Sequence, residues 1–354
     1  MRLLALIFFR NVETLKSALE YQRKNEIKMN GEYYTSLTIE ALLKMNPLAF
    51  VNVYEIESFY QWGTPQDLKD FEYWEKTFSS LKKQIHHSPT CEQILMPMAG
   101  KGSRLSQLLK VPKPLVTIAD QPMYRMALNS FPKARHHVFV ALGSFAKELE
   151  LDLHETVVIL EETPEGQALS TEAGLKNIRP GQDFIVTACD HSVVLNAEVW
   201  QNFIKDPQCD AAIFTMRGVP ATRRKPLSFS YVKASGVDGF KLIEAISVKK
   251  PLTDSPSEEA LLVGSFWFKD KSLAQKGIDL LKEKNLRVGG ELYLDSIFSL
   301  LIEKGFKVRQ IELDGYINWG DSESLKESLY WYEVFMGHKL SQRPAYPGCK
   351  DEKI

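Results

Sequence analysis

"MPMAGKGSRLSQLLKVPKPLVTI", residues 96–118, governs how the rest of the chain is read. The apolar run ILMPMA that leads into it is too short for a helix and reads as a buried strand ending at Ala99. A chain leaving such a strand through Gly100 and Gly102 can turn tightly and present its backbone N–H groups, because no Cβ blocks an approaching ligand. Phosphate suits that cradle, and positive charges follow it at Arg104 and at Lys113, the latter held between Pro112 and Pro114.

Composition narrows the class of partner. The 44 Lys and Arg residues balance 45 Asp and Glu, which excludes a whole-protein basic field of the kind that serves nucleic-acid binding. Cys91, Cys189, Cys209 and Cys349 are scattered without CxxC spacing, so neither a zinc site nor a disulfide framework is expected, and a reducing cytoplasm fits. The opening MRLLALIFFR is too short, and lacks the small-residue cleavage site, for a signal peptide. It reads as a strand, and no other stretch approaches the roughly 20 apolar residues of a membrane span.

Self-comparison reorganises the chain. LALIFFRN from Leu4 lies on VGSFWFKD from Val263, and NGEYYTSL from Asn30 lies on GGELYLDS from Gly289 at the same offset. After a two-residue slip, YQWGTPQDLKDFEYWEKTF from Tyr60 lies on INWGDSESLKESLYWYEVF from Ile317. Residues 4–78 are thus read as a degraded copy of 263–335, and each copy as strand, amphipathic helix, a helix beginning near Gly-Glu, strand, Trp turn and aromatic-rich helix. Thr64, with Pro65 and Asp67, is expected to cap the last helix of the first copy, and Asp321 that of the second. Trp62 and Trp319 read as core residues.

The expected organisation is a small α+β partial repeat over 1–78, a linker over 79–92, an α/β domain over 93–340 and a tail over 341–354. The linker carries His86 and His87, which read as solvated. Within the main domain HHVFVAL, TVVILEE, DFIVTAC and DAAIFTM read as strands, and GQALSTEAGLKNI and NAEVWQNFIK as helices. That alternation predicts a three-layer sandwich around a mostly parallel sheet, with ligands at the strand carboxyl ends. Asp190 arrives at such an end, where a carboxylate can hold Mg²⁺ against a phosphate. Gly166 and Gln167 stand at a loop-to-helix junction able to read a base edge.

Taken together, AGKGSR, PKPLVTIADQPM, EGQALST, TACD, VGSFWF, GELYLDS and INWGDSESL, in this order, resemble the nucleotidyltransferases that join a nucleoside triphosphate to a sugar 1-phosphate or similar acceptor and release pyrophosphate. The resemblance runs from about Ile94 to Phe335. It implies that the loop Ala99, Gly100, Gly102 and Ser103 holds the nucleotide, with Gly166 and Gln167 at the base. It implies further that Arg104 and Lys113 neutralise the phosphates, that Asp190 binds the catalytic Mg²⁺, and that Lys250 and Glu291 hold the acceptor. The implied role is to make an activated precursor for surface polysaccharide, with an NTP and a phosphorylated small molecule as partners; the oligomeric state is left open.

Two positions depart from the family's pattern. Asn318 stands where a second metal carboxylate is usual, so metal affinity is expected to fall unless Asp321 substitutes; Lys249 replaces a glutamate before Lys-Pro. His191 is not needed as a base, since a phosphate nucleophile is already ionised at neutral pH. The rivals are a glycosyltransferase, which usually carries a DxD-like motif where CDH has one carboxylate, and a non-catalytic nucleotide sensor or scaffold. The first copy, without a glycine-rich loop, is expected to pack on the main domain or a second subunit, or else the natural chain continues upstream of Met1. A chain beginning near Pro89 is expected to keep nucleotide binding.

Overall fold

The structure, a computed structural model, describes residues 7–54, 62–84, 91–102, 105, 111–237 and 239–337, and divides into units Met1–Phe59 and Tyr60–Ile354. Most of the strand expected from Leu4, the His86–His87 pair, Cys349 and the tail from residue 341 lie outside the described residues; Ile7–Phe9 have no regular structure.

In the first unit, α1 (Val12–Lys24) starts at Asn11, whose side chain accepts from the Thr14 N–H, and α2 (Leu37–Met45) follows. Between them Asn30 and Gly31 both take positive φ and turn the chain so that Met29 bridges Glu32. Two consecutive left-handed residues are what this tight turn requires, and Asn-Gly tolerates them. The buried Gln22 amide donates to Ile27 O and Tyr34 O, tying turn to helix.

The second unit opens with α3 (Pro65–Lys83), capped reciprocally by Thr64 and Asp67. Then come β1 (Cys91–Pro97), the short pair β2 (Thr117–Ile118) and β3 (Gln121–Pro122), α4 (Met123–Asn129), β4 (Ala134–Leu142) and β5 (Glu155–Leu160). Next are α5 (Gln167–Leu175), β6 (Phe184–Thr187), β7 (His191–Val194), α6 (Ala197–Lys205), β8 (Ala211–Met216) and α7 (Pro220–Arg224). The hairpin β9 (Ser230–Val237) and β10 (Phe240–Ser247) leads to β11 (Ala260–Phe268), α8 (Lys271–Glu283), α9 (Ser296–Glu303), β12 (Val308–Glu312), β13 (Gly315–Asn318) and α10 (Ser322–Met336).

Among the described residues nine strands form one sheet in the order β5-β4-β1-β6-β11-β8-β12-β10-β9. Strand alternation feeds two cores. Ile94, Met96, Ile185, Ala212 and Phe214 face a layer that includes α3, α4, α6 and α10; Leu95, Phe184, Val186, Ala211 and Ile213 face α5, α8 and α9. This is the expected three-layer α/β sandwich. The half β5-β4-β1-β6 is parallel, whereas β11 runs against both β6 and β8 and the β9–β10 hairpin closes the far edge.

Three expectations need correction. Helix α3 continues through Lys83, so residues 79–83 are not linker: its stripe Tyr73, Trp74, Thr77 and Phe78 is buried, and Leu81 extends it onto the same core. The helices read as beginning near Gly-Glu begin instead at Leu37 and Ser296, because Gly289 and Gly290 also turn through positive φ, with Val288 bridging Glu291. Trp319 is core, but Trp62 is 60% exposed, its ring meeting Phe71 of α3 edge-on.

Candidate active site

Strand β1 sits between β4 and β6 and hands its carboxyl end to the glycine loop, whose start is fixed where the Met98 N–H donates to Val140 O at 2.7 Å. Ala99 is buried in the core and Gly100 is open to solvent. Gly102 turns through φ +57°, and a side chain there would meet Lys113 Cβ at 2.9 Å, so conformation and space both demand glycine. Lys113 itself begins a single 3₁₀ turn after Pro112. Its ammonium forms an ion pair with Asp190 Oδ2, both side chains being largely shielded from water.

Asp190 lies in the turn between β6 and β7, and β7 pairs antiparallel with β13 in a register that sets His191 opposite Asn318. The Trp319 N–H donates to Asp190 O at 2.8 Å, locking the two turns together. Asn318 Oδ1 accepts from the Gly320 N–H at 2.9 Å, while its Nδ2 donates to Ser324 Oγ at 3.2 Å. A Cβ on Gly320 would lie 3.0 Å from Asn318 Oδ1 and 3.3 Å from Asp190 Oδ2. Two oxygens therefore face one gap that only a glycine leaves open.

Burial works against ionisation of Asp190, but Lys113 and His191 outweigh it and hold the carboxyl well below its ordinary range. His191 is itself buried; its Nε2 stands 2.8 Å from Ser265 Oγ and its Nδ1 3.6 Å from Asp190 Oδ1, behind the carboxylate rather than in front of it. Asp321, the expected substitute for Asn318, accepts from the Glu323 and Ser324 N–H groups as the cap of α10 and pairs with Lys225 at 3.3 Å. Its oxygens are committed to the helix. Among the described residues no three His, Cys, Asp or Glu side chains form a metal cage. One carboxylate and one amide oxygen facing the same gap do fit a hard cation that takes its other ligands from water and substrate phosphate.

A cavity of about 350 Å³ opens beside this pair, lined by Gly100, Lys101, Pro112, Lys113, Leu142 and Phe145. Leu142 and Phe145 were not legible as site residues, since HHVFVAL reads only as a strand; the available signal is that a parallel strand beside β1 ends there. On the other side, Gly166 turns through φ +124° with the backbone of Leu292 filling the space a side chain would take. The Leu292 N–H donates to Glu165 O and the Ala168 N–H to Leu292 O, so this loop is clasped to the segment before α9. Gln167 begins α5, half-buried.

Lys250 and Glu291 are exposed. Lys249, not singled out as an acceptor residue, is the inward lysine: its Nζ donates to Ser228 O at 2.6 Å and stands 5.3 Å from the Tyr293 ring centroid. Beside it Asp295, its pKa raised by burial, accepts from Ser230 Oγ at 2.6 Å. Ser103 and Arg104 lie outside the described residues.

Residues 94–248, from β1 through the turn that follows β10, match the family of MobA-like NTP transferase domains. Over that span the chain resembles an NTP transferase domain. The matched span includes the glycine loop, Lys113 and Asp190; Lys249 and Asn318 lie beyond it. The chain is 23% identical over 285 residues to a UTP–glucose-1-phosphate uridylyltransferase of Haemophilus ducreyi, covering 70% of this chain and 93% of that one. It is 24% identical over 215 residues to the bifunctional protein GlmU of Staphylococcus carnosus, covering 59% of this chain and 44% of that protein. Among solved structures, a UDP-glucose pyrophosphorylase complexed with UDP-glucose superposes with a TM-score of 0.55 at 15% identity, covering 69% of this chain and 99% of that one. The inositol-1-phosphate CTP transferase of T. maritima superposes at 0.54 and 15% identity, covering 72% and 100%. The chain thus shares its fold with these proteins.

Proposed function

We propose that the NTP transferase domain transfers a nucleoside monophosphate from an NTP to a sugar 1-phosphate or similar phosphorylated acceptor, releasing pyrophosphate. The observation that carries this reading is the Lys113–Asp190 ion pair at the edge of the glycine-loop cavity, with the Gly320 gap beside it. An acceptor phosphate oxygen attacks the α-phosphorus and the bond to the β-phosphate oxygen breaks, so alignment and charge neutralisation suffice and no protein nucleophile is needed. Gly100 and Gly102 leave the loop backbone open to phosphate oxygens, and Lys113 supplies a cation to them. Asp190 and Asn318 would hold Mg²⁺, which when bound supplies further charge neutralisation at the phosphates. Arg104 is assigned the departing pyrophosphate on the sequence resemblance.

The acceptor side rests on Lys249 in preference to Lys250. A half-buried ammonium among Ser228, Tyr293 and Asp295 can meet an acceptor anion, whereas an exposed one contributes little. The test is pyrophosphate release over the four common NTPs and a panel of sugar phosphates with phosphocholine, at controlled free Mg²⁺. Release with no NTP–acceptor pair sinks the reading, and transfer of a sugar from a nucleotide sugar favours the glycosyltransferase instead.

We infer also that residues up to 78 are the tail of a second such module. Helix α1, its turn and the start of α2 recur 259 residues later as α8, the Val288–Glu291 turn and α9, and both first helices have an Asx cap, Asn11 and Asp270. Whichever way that reading falls, the catalytic one stands apart from it.

A further inference from the structure

Helices α3 and α10 are equivalent in the repeat at an offset of 257 residues: Leu68-Lys69 matches Leu325-Lys326, Tyr73-Trp74 matches Tyr330-Trp331, and Phe78 matches Phe335. They also pack on each other, and two of the ring contacts between them join equivalent residues. The Trp74 and Trp331 rings stack 6.4 Å apart with 19° between their planes, and one turn further on Phe78 and Phe335 stack 5.8 Å apart at 22°. Rings that meet in step along both helices make the pair parallel. The acidic positions one turn before obey the same rule, for consecutive arginines of α7 grip them, Arg223 on Asp70 and Arg224 on Glu327.

Contacts between a residue and its own counterpart are the mark of a two-fold axis, as at the centre of an isologous interface between identical subunits. Nothing in the catalytic reading calls for them. The symmetry is broken where the copies differ: Phe71 touches Trp331 and Phe335, while its counterpart is Ser328, too small to return the contact.

We propose that the aromatic face of α10 is a homotypic pairing surface for a second copy of this closing helix, and that α3 fills it within the chain, giving one polypeptide the contact two modules would otherwise make between molecules. The inference rests on the tandem reading and not on the catalytic one. Its readouts are mass and melting, so a chain inactive toward every nucleotide leaves it standing.

The test has two arms, both in the full chain. In the first, Trp74→Arg with Phe78→Arg expels α3 from the face, and sedimentation velocity is expected to show mass doubled relative to wild type. Adding Trp331→Arg and Phe335→Arg is expected to reverse the doubling; a folded α3 variant of unchanged mass overturns the proposal. In the second arm, residues 68–79 are replaced by the sequence of 325–336, which keeps Tyr, Trp, Phe and the acidic residue in register. That exchange is expected to retain wild-type mass and cooperative melting, while the same residues in scrambled order lose cooperative melting. Equal melting of the two exchanges, or failure of the in-register one, overturns the proposal even where the first variant does not fold.

Discussion

At the residue scale the site is an argument about which charges are already compensated. Lys113 meets Asp190 across 77 positions of sequence, so Asp190 is held in its charged form before any substrate arrives. Lys113→Ala is expected to lower nucleotidyl transfer by about 100-fold or more, since a cation on phosphate oxygens acts mainly in the transition state. The check is steady-state pyrophosphate release beside a melting curve: unchanged turnover removes Lys113 from the site. Gly320→Ala asks about the gap directly. Its methyl would stand 3.0 Å from Asn318 Oδ1 and 3.3 Å from Asp190 Oδ2, so Mn²⁺ binding followed by electron paramagnetic resonance is expected to be lost while the fold persists. Retained binding would move the cation elsewhere. Asn318→Asp adds a charge to the same gap without changing its shape, and tighter Mn²⁺ binding is the expected result; weaker or unchanged binding would show that the amide oxygen takes no part.

At the element scale, β5 pairs with β4 along its length at the sheet edge, and a carboxylate at its start ties it to α4. Glu155 is almost fully buried and receives both guanidinium nitrogens of Arg125 on α4, at 2.5 and 2.7 Å, and the Asp152 N–H at 2.8 Å. Burial alone would raise its pKa, but His137, Arg125 and the Asp152 N–H together bring it down to about 2 from an ordinary 4.5. A folded value below the unfolded one stabilises the protein fully above about pH 4.5 and loses that stabilisation as pH falls toward 2. The shift corresponds to about 3 kcal/mol. Glu155→Gln is therefore expected to lower stability by about that much at pH 7 in urea unfolding and to flatten the acid limb of the stability profile. An acid limb of unchanged slope would place its origin in other groups.

At the scale of the whole molecule, α3 belongs to the core of the second unit, although the proposed repeat would assign it to the first copy. The Tyr73 hydroxyl donates to Tyr316 O at 2.6 Å, on the strand that ends at Asn318, and a side chain on Gly315 would strike Thr77. This reverses the expectation for a chain starting near Pro89. Without residues 1–84 the aromatic face of α10 and the back of β13 lose their cover, so such a chain is expected to melt well below wild type and to bind nucleotide weakly. Wild-type melting of that truncation would show α3 to be dispensable. Tyr73→Phe, which removes the buried hydrogen bond to Tyr316 O, is expected to cost about 1 kcal/mol.

What sequence alone determined lies in local rules. The strand before Ala99 and the caps at Thr64 and Asp321 are written in spacing and residue type, and so were legible. The glycine at 102 was legible as a turn, but its second cause, the nearness of Lys113, is a contact between segments. Lys249 rather than Lys250, the commitment of Asp321 to its helix, the cavity wall at Leu142 and Phe145, and the pairing of α3 with α10 were decided only by tertiary structure. The physical reason is common to all four. A side chain's direction and its partners are set by elements distant in sequence, and a spacing rule carries no information about what those elements bring to meet it.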